Sequence, residues 1–286
     1  TAKAVANGAC YDGDVWDLFD GKGRNTEVLP LGTVVTIPAA GSEMSDSCVI
    51  TREEDLCKRG RNTPLNFPKF SILNPEFTYT LPPFQTACGA VDIMAHMMER
   101  YFTRVTHVEL IDRMTEGALK TVVNNAPIVM REPENYDARA EIMWAGCLAH
   151  NTLFQTGRVG DWASHKLEHE LSALYDIAHG AGLAIVIPGW FKYIYKKRPE
   201  TFARLANRIF GIEIDPYDLE GTALKGILAL ERFFQDLGMP VRLSEVNIGE
   251  EYFEEIAERC YARFGEYGQI QNFGKQDTVN ILNLCR

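Results

Sequence analysis

Residues 85–102, QTACGAVDIMAHMMERYF, decide how the fold of this chain is interpreted. Apolar residues recur there at the period of an α-helix, so Asp92 and His96, four positions apart, leave the same face of one helix. A carboxylate and an imidazole placed in this way can bind one metal ion from a single element. The stretch therefore predicts a helix that supplies two metal ligands.

Two further histidines extend this candidate site. His165 lies in a second helical stretch, DWASHKLEHELSALY (residues 161–175), and His179 follows in DIAHGAGLAIVIP (residues 176–188). Three imidazoles and one carboxylate, with no thiolate, are typical of a site for Fe(II) or Zn(II). An ion held by these ligands keeps a net positive charge and can act as a Lewis acid.

The same stretch supports a competing interpretation. His165, Glu168 and His169 fit the pattern H-x-x-E-H, in which two histidines bind zinc and the glutamate serves as a base for hydrolysis. A metallohydrolase therefore stays open as an alternative. It leaves Asp92, His96 and His179 without a role and explains fewer residues.

Composition excludes several classes of partner. The chain has 286 residues and a net charge of -10, which argues against nucleic acid or an anionic membrane, because both require a basic face. Its seven cysteines are odd in number and show no CxxC spacing, so we expect reduced thiols and a cytoplasmic protein. No apolar run is long enough to span a membrane.

The sequence changes at residue 82 from strand and loop patterns to helical periodicity, which predicts two domains, 1–81 and 82–286. In the first, LGTVVTIP (31–38) indicates a buried strand, SCVITREED (47–55) and FSILNPEFTYT (70–80) indicate further strands, and the polar CKRGRNTPLN (57–66) separates them. The stretch 11–30 is typical of a loop. Small residues after the first strand, at 36–43, would let a phosphate or ribose approach the backbone.

The second part is predicted to be entirely helical. Proline and glycine residues interrupt its helical periodicity at several points. We expect helices at about 85–103, 108–130, 137–156, 161–175, 180–197, 200–210, 218–237, 250–263 and 276–284.

Three stretches carry a resemblance to a known family. TIPAAGSEM (36–44), NPEFTYTLPPFQTACGAVDIMAHMMERYF (74–102) and GDWASHKLEHELSALYDIAHGAGLAIVIP (160–188) resemble the iron-containing alcohol dehydrogenase family, and most closely its butanol dehydrogenase branch. The resemblance implies an α+β fold of the dehydroquinate synthase-like type. A partial nucleotide-binding α/β domain at 1–81 would precede an all-helical metal and substrate domain at 82–286. We expect that the family's first segment, with its glycine-rich phosphate loop, is missing before Thr1.

The resemblance also assigns roles to individual residues. It makes Asp92, His96, His165 and His179 the metal ligands, and it places His169 beside the nicotinamide as a proton relay. The residues expected to contact the dinucleotide are Thr36, Gly41, Ser42, Lys58 and Leu81.

The function implied is hydride transfer between NAD(H) or NADP(H) and a short primary alcohol or aldehyde, which is bound at Fe(II) or Zn(II). No nucleic acid and no membrane is expected as a partner, and the resemblance predicts a homodimer or larger homo-oligomer. A metal-binding fragment without catalytic activity stays open as a third hypothesis.

Overall fold

The computed structural model describes residues 1–286. The first part of the chain holds two short helices and four short strands, and the remainder is helical. In chain order the early elements are α1 (Ala2–Gly8), α2 (Val15–Asp20), β1 (Gly32–Val34), β2 (Ser47–Arg52), β3 (Cys57–Asn62) and β4 (Phe70–Ile72).

The strands form two separate pairs. β1 lies parallel to β4, and β2 lies antiparallel to β3. The prediction that 31–38 is a buried strand is wrong, because β1 has a single neighbouring strand and leaves Val34 53% exposed. The polar segment 57–66 was expected to separate strands, but its first half is β3, since backbone pairing with β2 outweighs weak strand propensity. Of the strand expected at 70–80, only β4 forms, and Pro75–Thr78 is a 3-10 turn.

The predicted loop at 11–30 contains a helix. The Asp14 carboxylate accepts a hydrogen bond from the backbone N–H of Trp16 and so caps α2. Trp16 and Phe19 then pack into a small apolar cluster with Cys48 of β2 and Cys57 of β3. This cluster attaches α2 to the β2–β3 hairpin.

The helical part agrees closely with the predicted helices. The one clear difference is the third helix, which ends at His150 and not near residue 156, because the chain enters a turn in which Thr152 has φ 75°. The observed helices are α3 (Pro83–Tyr101), α4 (Glu109–Arg131), α5 (Tyr136–His150), α6 (Ala163–Tyr175), α7 (His179–Ile194), α8 (Pro199–Phe210), α9 (Leu219–Asp236), α10 (Phe253–Phe264) and α11 (Lys275–Leu284).

Helix α3 lies at the centre of the helical part. It packs against α4, α5 and α7, and every residue from Thr86 to Tyr101 is buried. α7 is similarly enclosed, with its run of apolar side chains from Leu183 to Ile187 fully buried. Because α3 and α7 share one core, the polar side chains they carry are held in fixed relative positions.

A glycine sets the distance between these two helices. A Cβ added at Gly180, the second residue of α7, would lie 2.3 Å from the carbonyl oxygen of Cys88 on α3. The neighbouring atoms are backbone atoms, which cannot move aside cheaply. Gly180 therefore permits the close approach of α7 to α3.

The architecture confirms the predicted helix-rich fold. The division into domains at residue 81 stays a prediction. All seven cysteines are free thiols. None of the helices is both long and apolar enough to cross a lipid bilayer.

Gly180→Ala is expected to destabilise the fold by about 1–3 kcal/mol, since the added methyl group overlaps the backbone of α3. Gly117→Ala in α4 is the matched control, because a Cβ there meets no atom within 4 Å. It should stabilise by about 0.5–1 kcal/mol through its higher helix propensity. Thermal unfolding followed by circular dichroism measures both. Equal melting temperatures for the two variants would contradict the close-approach argument.

Candidate metal centre and active-site cavity

Four side chains from three helices converge on one point. Asp92 and His96 project from α3, His165 from α6, and His179 is the first residue of α7. The Asp92 Oδ1 atom lies 3.3 Å from the Nε2 of His96, 3.9 Å from that of His165 and 3.7 Å from that of His179. One carboxylate oxygen thus faces three imidazole nitrogens, which is the set that the sequence predicts.

The unsatisfied atoms at this point fit a cation. Asp92 Oδ1 and His165 Nε2 are buried and have no hydrogen-bond partner, and His96 Nδ1 also lacks one. Leaving buried polar atoms unpaired costs about 1–3 kcal/mol each, so folded proteins rarely do so without a reason. Burial raises the pKa of Asp92 and lowers that of His96 well below its ordinary value. A divalent cation would offset the cost of burying the ionised carboxylate and would bind the neutral imidazole.

Glu99 fixes the orientation of His165. Glu99 is fully buried, and its carboxylate accepts hydrogen bonds from the backbone N–H of His165 and from the Ser164 hydroxyl. Its Oε1 also lies 3.2 Å from the Nδ1 of His165. Since a carboxylate accepts the Nδ1 proton, the lone pair of His165 is left on Nε2, towards Asp92.

Glu168 fixes the orientation of the His179 ring. It is fully buried on α6, and its carboxylate pairs with the Nδ1 of His179. Burial lowers the pKa of His179 and raises that of Glu168, but their mutual attraction outweighs burial and shifts both in the opposite direction. The Lys58 ammonium, 3.8 Å from Glu168 Oε2, adds to the stabilisation of the Glu168 charge.

His169 lies beside the four-residue cluster. Its ring centroid is 5.6 Å from that of His179 and 6.5 Å from that of His165. Burial and then the nearby Lys58 charge lower the pKa of His169 well below its ordinary value. The ring is therefore neutral near pH 7, so it can accept a proton on one nitrogen and donate from the other.

A single large cavity contains this cluster. Its volume is about 1680 Å³, and it extends from His96, His165 and His179 to the β2–β3 hairpin. Two of the residues expected to bind a dinucleotide line it, Ser42 and Lys58. Lys58 also donates a hydrogen bond to the Ser172 hydroxyl at 2.8 Å, which anchors β3 to α6.

The other expected dinucleotide contacts do not line this cavity. Thr36 is exposed, and Leu81 lies partly buried in the turn before α3. Gly41 is buried, and a Cβ there would lie 2.6 Å from the Cβ of His150. Its φ of 57° is in the left-handed region that glycine adopts most readily.

Several residues around the proposed metal site were not predicted as site residues. Glu99 follows His96 by three positions, and that spacing was a usable signal for a carboxylate on the ligand face. His150 was not among the predicted site residues, and the structure stacks its ring on that of His96 with centroids 4.2 Å apart. Arg100 follows His96 by four positions and so shares its face of α3, but its contact with His150 depends on how α3 and α5 pack.

Comparison with known proteins agrees with the resemblance. The family profile described as iron-containing alcohol dehydrogenase matches residues 1–75, and the profile described as the C-terminal part of the Fe-containing alcohol dehydrogenase family matches residues 86–285. A probable NADH-dependent butanol dehydrogenase 1 of Bacillus subtilis is 42% identical over 280 residues, which cover 98% of this chain and 72% of the relative. An NADPH-dependent aldehyde reductase of Escherichia coli is 36% identical over 249 residues, covering 86% of this chain and 64% of the relative.

The fold agrees as well. The crystal structure of an NADH-dependent butanol dehydrogenase A from Thermotoga maritima superposes with a TM-score of 0.95 at 40% identity, covering 99% of this chain and 73% of that one. The predicted resemblance and fold class are therefore confirmed. Both family profiles and these relatives establish that the chain belongs to the iron-containing alcohol dehydrogenase family.

Proposed function

We propose that this chain is a metal-dependent, NAD(P)-linked alcohol dehydrogenase or aldehyde reductase. The observation that carries the proposal is the buried Asp92 Oδ1 atom, which has no hydrogen-bond donor and lies within 4 Å of three imidazole nitrogens. Relatives named as butanol dehydrogenases and as an aldehyde reductase support the reaction class. The substrate class proposed is a short primary alcohol or aldehyde.

The proposed metal ligands are Asp92, His96, His165 and His179. This donor set accepts Fe(II) and Zn(II), and the family to which the chain belongs is iron-containing. When bound, the ion supplies Lewis acidity at the substrate oxygen. Glu99 and Glu168 hold two of the ligand rings in the orientation that this binding needs.

The proposed cofactor is NAD(H) or NADP(H), which accepts or supplies the hydride. Lys58 and Ser42 support this proposal, because they line the cavity that also contains the proposed ligands. Thr36, Gly41 and Leu81 are assigned to the cofactor by family resemblance alone. One of the relatives described above is named as NADH-dependent and another as NADPH-dependent.

His169 is proposed to move the proton that the reaction exchanges with water. It lines the cavity, lies one helical turn after His165, and has a pKa that burial lowers well below its ordinary value. Its ring can take a proton at one nitrogen while the other nitrogen releases one. No ligand role is assigned to it.

The metallohydrolase alternative fits this geometry poorly. Its base would be Glu168, but that carboxylate is fully buried and paired with His179 and Lys58. A general base must reach a water molecule beside the substrate. The other properties expected from the sequence, namely a division into domains at residue 81, a homo-oligomer and a cytoplasmic location, are proposed on the family resemblance and on composition.

Aldehyde reduction is the direct test of this function. Metal-loaded protein incubated with butanal should consume NADH or NADPH, measured by loss of the near-ultraviolet absorbance of the reduced cofactor. Removal of the metal with a chelator should abolish the reaction, and Fe(II) or Zn(II) should restore it. Stoichiometric metal binding without turnover by either cofactor would favour the catalytically silent fragment instead.

Asp92→Ala is expected to empty the metal site, since it removes the one carboxylate that faces all three rings. Metal content measured by plasma mass spectrometry should fall from one ion per chain to a small fraction of that. Asp112→Ala is the control, because Asp112 is another buried carboxylate of the helical part and pairs with Arg158. Retention of the full metal content in Asp92→Ala would show that the ligand set is wrong.

His169→Ala is expected to lower kcat by roughly 100- to 10,000-fold, the range typical of a lost proton-transfer group. Metal content should stay near that of the unaltered protein. The exposed His107, which does not line the cavity, provides the control His107→Ala. Loss of metal from His169→Ala would make His169 a ligand and refute the relay role.

Glu168→Gln is expected to weaken metal binding by roughly 10- to 100-fold, because the neutral amide no longer holds the His179 ring through its charge. Chelator competition measures the dissociation constant, and aldehyde reduction should survive at saturating metal. Glu170→Gln is the matched control, since Glu170 is also fully buried on α6 but pairs with Arg259 and Arg263. Equal metal affinities in the two variants would refute the orienting role of Glu168.

A further inference from the structure

One buried cation beside the proposed metal site has no acidic partner. Arg100 lies on α3, one helical turn after the proposed ligand His96, and its side chain lines the cavity although it is only 3% exposed. No carboxylate forms an ion pair with it, and the charges of Glu99 and Asp46 act on it only from a longer distance. Burying a guanidinium without a counter-charge in direct contact is costly, which marks the position as unusual.

Most of the hydrogen-bonding capacity of Arg100 is unused. A guanidinium has five N–H donors. Arg100 donates one to the carbonyl oxygen of His96 at 2.8 Å and one to the Nδ1 of His150 at 3.0 Å, while its Nε has no partner. The face of the guanidinium lies 4.6 Å from the centre of the Trp162 ring, which holds the plane in place.

His150 contacts both Arg100 and the proposed ligand His96. An arginine only donates, so the Nδ1 of His150 must accept, and the ring is neutral with its proton on Nε2. Burial and the Arg100 charge lower the pKa of His150 to about 3, in agreement with the neutral form. The ring stacks on His96. Arg100 and the Nε2 proton of His150 therefore lie close to the proposed metal site.

Two other basic groups of this region already have hydrogen-bond or ion-pair partners. Lys3 donates to the Ser45 carbonyl and hydroxyl and to the Ser47 carbonyl. Arg263 pairs with Glu170. Lys166 also lacks an acidic partner, but its ammonium lies over the Phe264 ring, 5.4 Å from the ring centre.

Buried arginines outside the cavity show the contrast. Arg158 forms an ion pair with Asp112 at 2.7 Å. Arg139 has no acidic partner, but its Nε donates to the Pro133 carbonyl and it does not line the cavity. Arg100 alone among these three combines an unpaired charge, an unpaired Nε and contact with the cavity.

We propose that the cavity takes short aldehydes that carry a terminal carboxylate, and the corresponding hydroxy acids, with the carboxylate bound by Arg100. This rests on the proposed function and specifies its substrate. Arg100 follows His96 by four residues, about 6 Å along the helix axis, and a spacing of that order between their positions suits a chain of a few carbon atoms between the carbonyl and the carboxylate. In the reaction the reduced cofactor gives a hydride to the carbonyl carbon, a proton reaches the carbonyl oxygen, and the carboxylate is unchanged.

The test compares two aldehydes of equal chain length. The ratio of kcat/KM for 4-oxobutanoate to that for butanal is measured in the unaltered protein and in Arg100→Gln. We expect the unaltered protein to prefer 4-oxobutanoate and the ratio to fall by roughly 10- to 100-fold in the variant, as for a lost hydrogen bond between charged groups. Arg100→Lys, which keeps the charge but not the planar fork, should give an intermediate ratio.

Two control variants and a binding measurement make the test specific. Arg139→Gln should leave the ratio unchanged. Lys166→Gln examines the other unpaired cation, and a loss of preference in that variant but not in Arg100→Gln would overturn the assignment. Titration calorimetry with 4-hydroxybutanoate, compared with 1-butanol, should show weaker binding of the hydroxy acid to Arg100→Gln.

The outcomes separate this inference from the proposed function. Reduction of butanal with no preference for 4-oxobutanoate, and an unchanged ratio in Arg100→Gln, would overturn the inference and leave the function standing. If neither aldehyde is reduced, the proposed function fails and calorimetry decides the carboxylate site. Equal affinity of 4-hydroxybutanoate for the unaltered protein and Arg100→Gln would then overturn it.

Discussion

The structure around the site depends on one constraint, which is the burial of a carboxylate oxygen opposite three imidazole rings. Asp92 Oδ1 has no hydrogen-bond donor of its own, although it sits at the centre of the helical part. An ionised carboxylate in such a place is stable only if positive charge is supplied nearby. The helices α3, α6 and α7 are arranged so that a cation at this point would satisfy several groups at once.

Two buried carboxylates set the geometry of the proposed ligands. Glu99 joins α3 to the start of α6 by accepting bonds from the backbone and side chains of that helix. Glu168 joins α6 to the start of α7 through His179. These two buried carboxylates add negative charge around the site and set the ring orientations, so the proposed metal centre and the packing of three helices depend on the same contacts.

Sequence reasoning predicted the helices and pointed to four side chains that the structure brings together, because both follow local rules. The spacing of Asp92 and His96 needs only a helix, and the apolar period of α3 made that helix predictable. The first part of the chain was less predictable. β3 is a polar segment that forms a strand because it pairs with β2. β1 consists of strand-forming residues but stays largely exposed to solvent. In both cases the outcome depends on neighbouring elements, which a single stretch of sequence does not specify.

The contact between Arg100 and His150 could not be inferred from spacing. Arg100 and His150 are fifty positions apart and meet because α5 packs against α3. The result is a cation without an ion-pair partner beside the proposed metal site, an arrangement that exists only in the folded chain. Family resemblance likewise assigned Thr36, Gly41 and Leu81 to the cofactor, although these residues lie outside the cavity that contains Lys58 and the ligand cluster.

The central claim is that Asp92 and three histidines share one ion, and anomalous X-ray diffraction at the iron and zinc absorption edges tests it most directly. The account predicts one strong anomalous peak per chain, at about 2.0–2.2 Å from a carboxylate oxygen of Asp92 and from the Nε2 atoms of His96, His165 and His179. A peak between Glu168 and His169, or no peak in protein supplied with the metal, would contradict it.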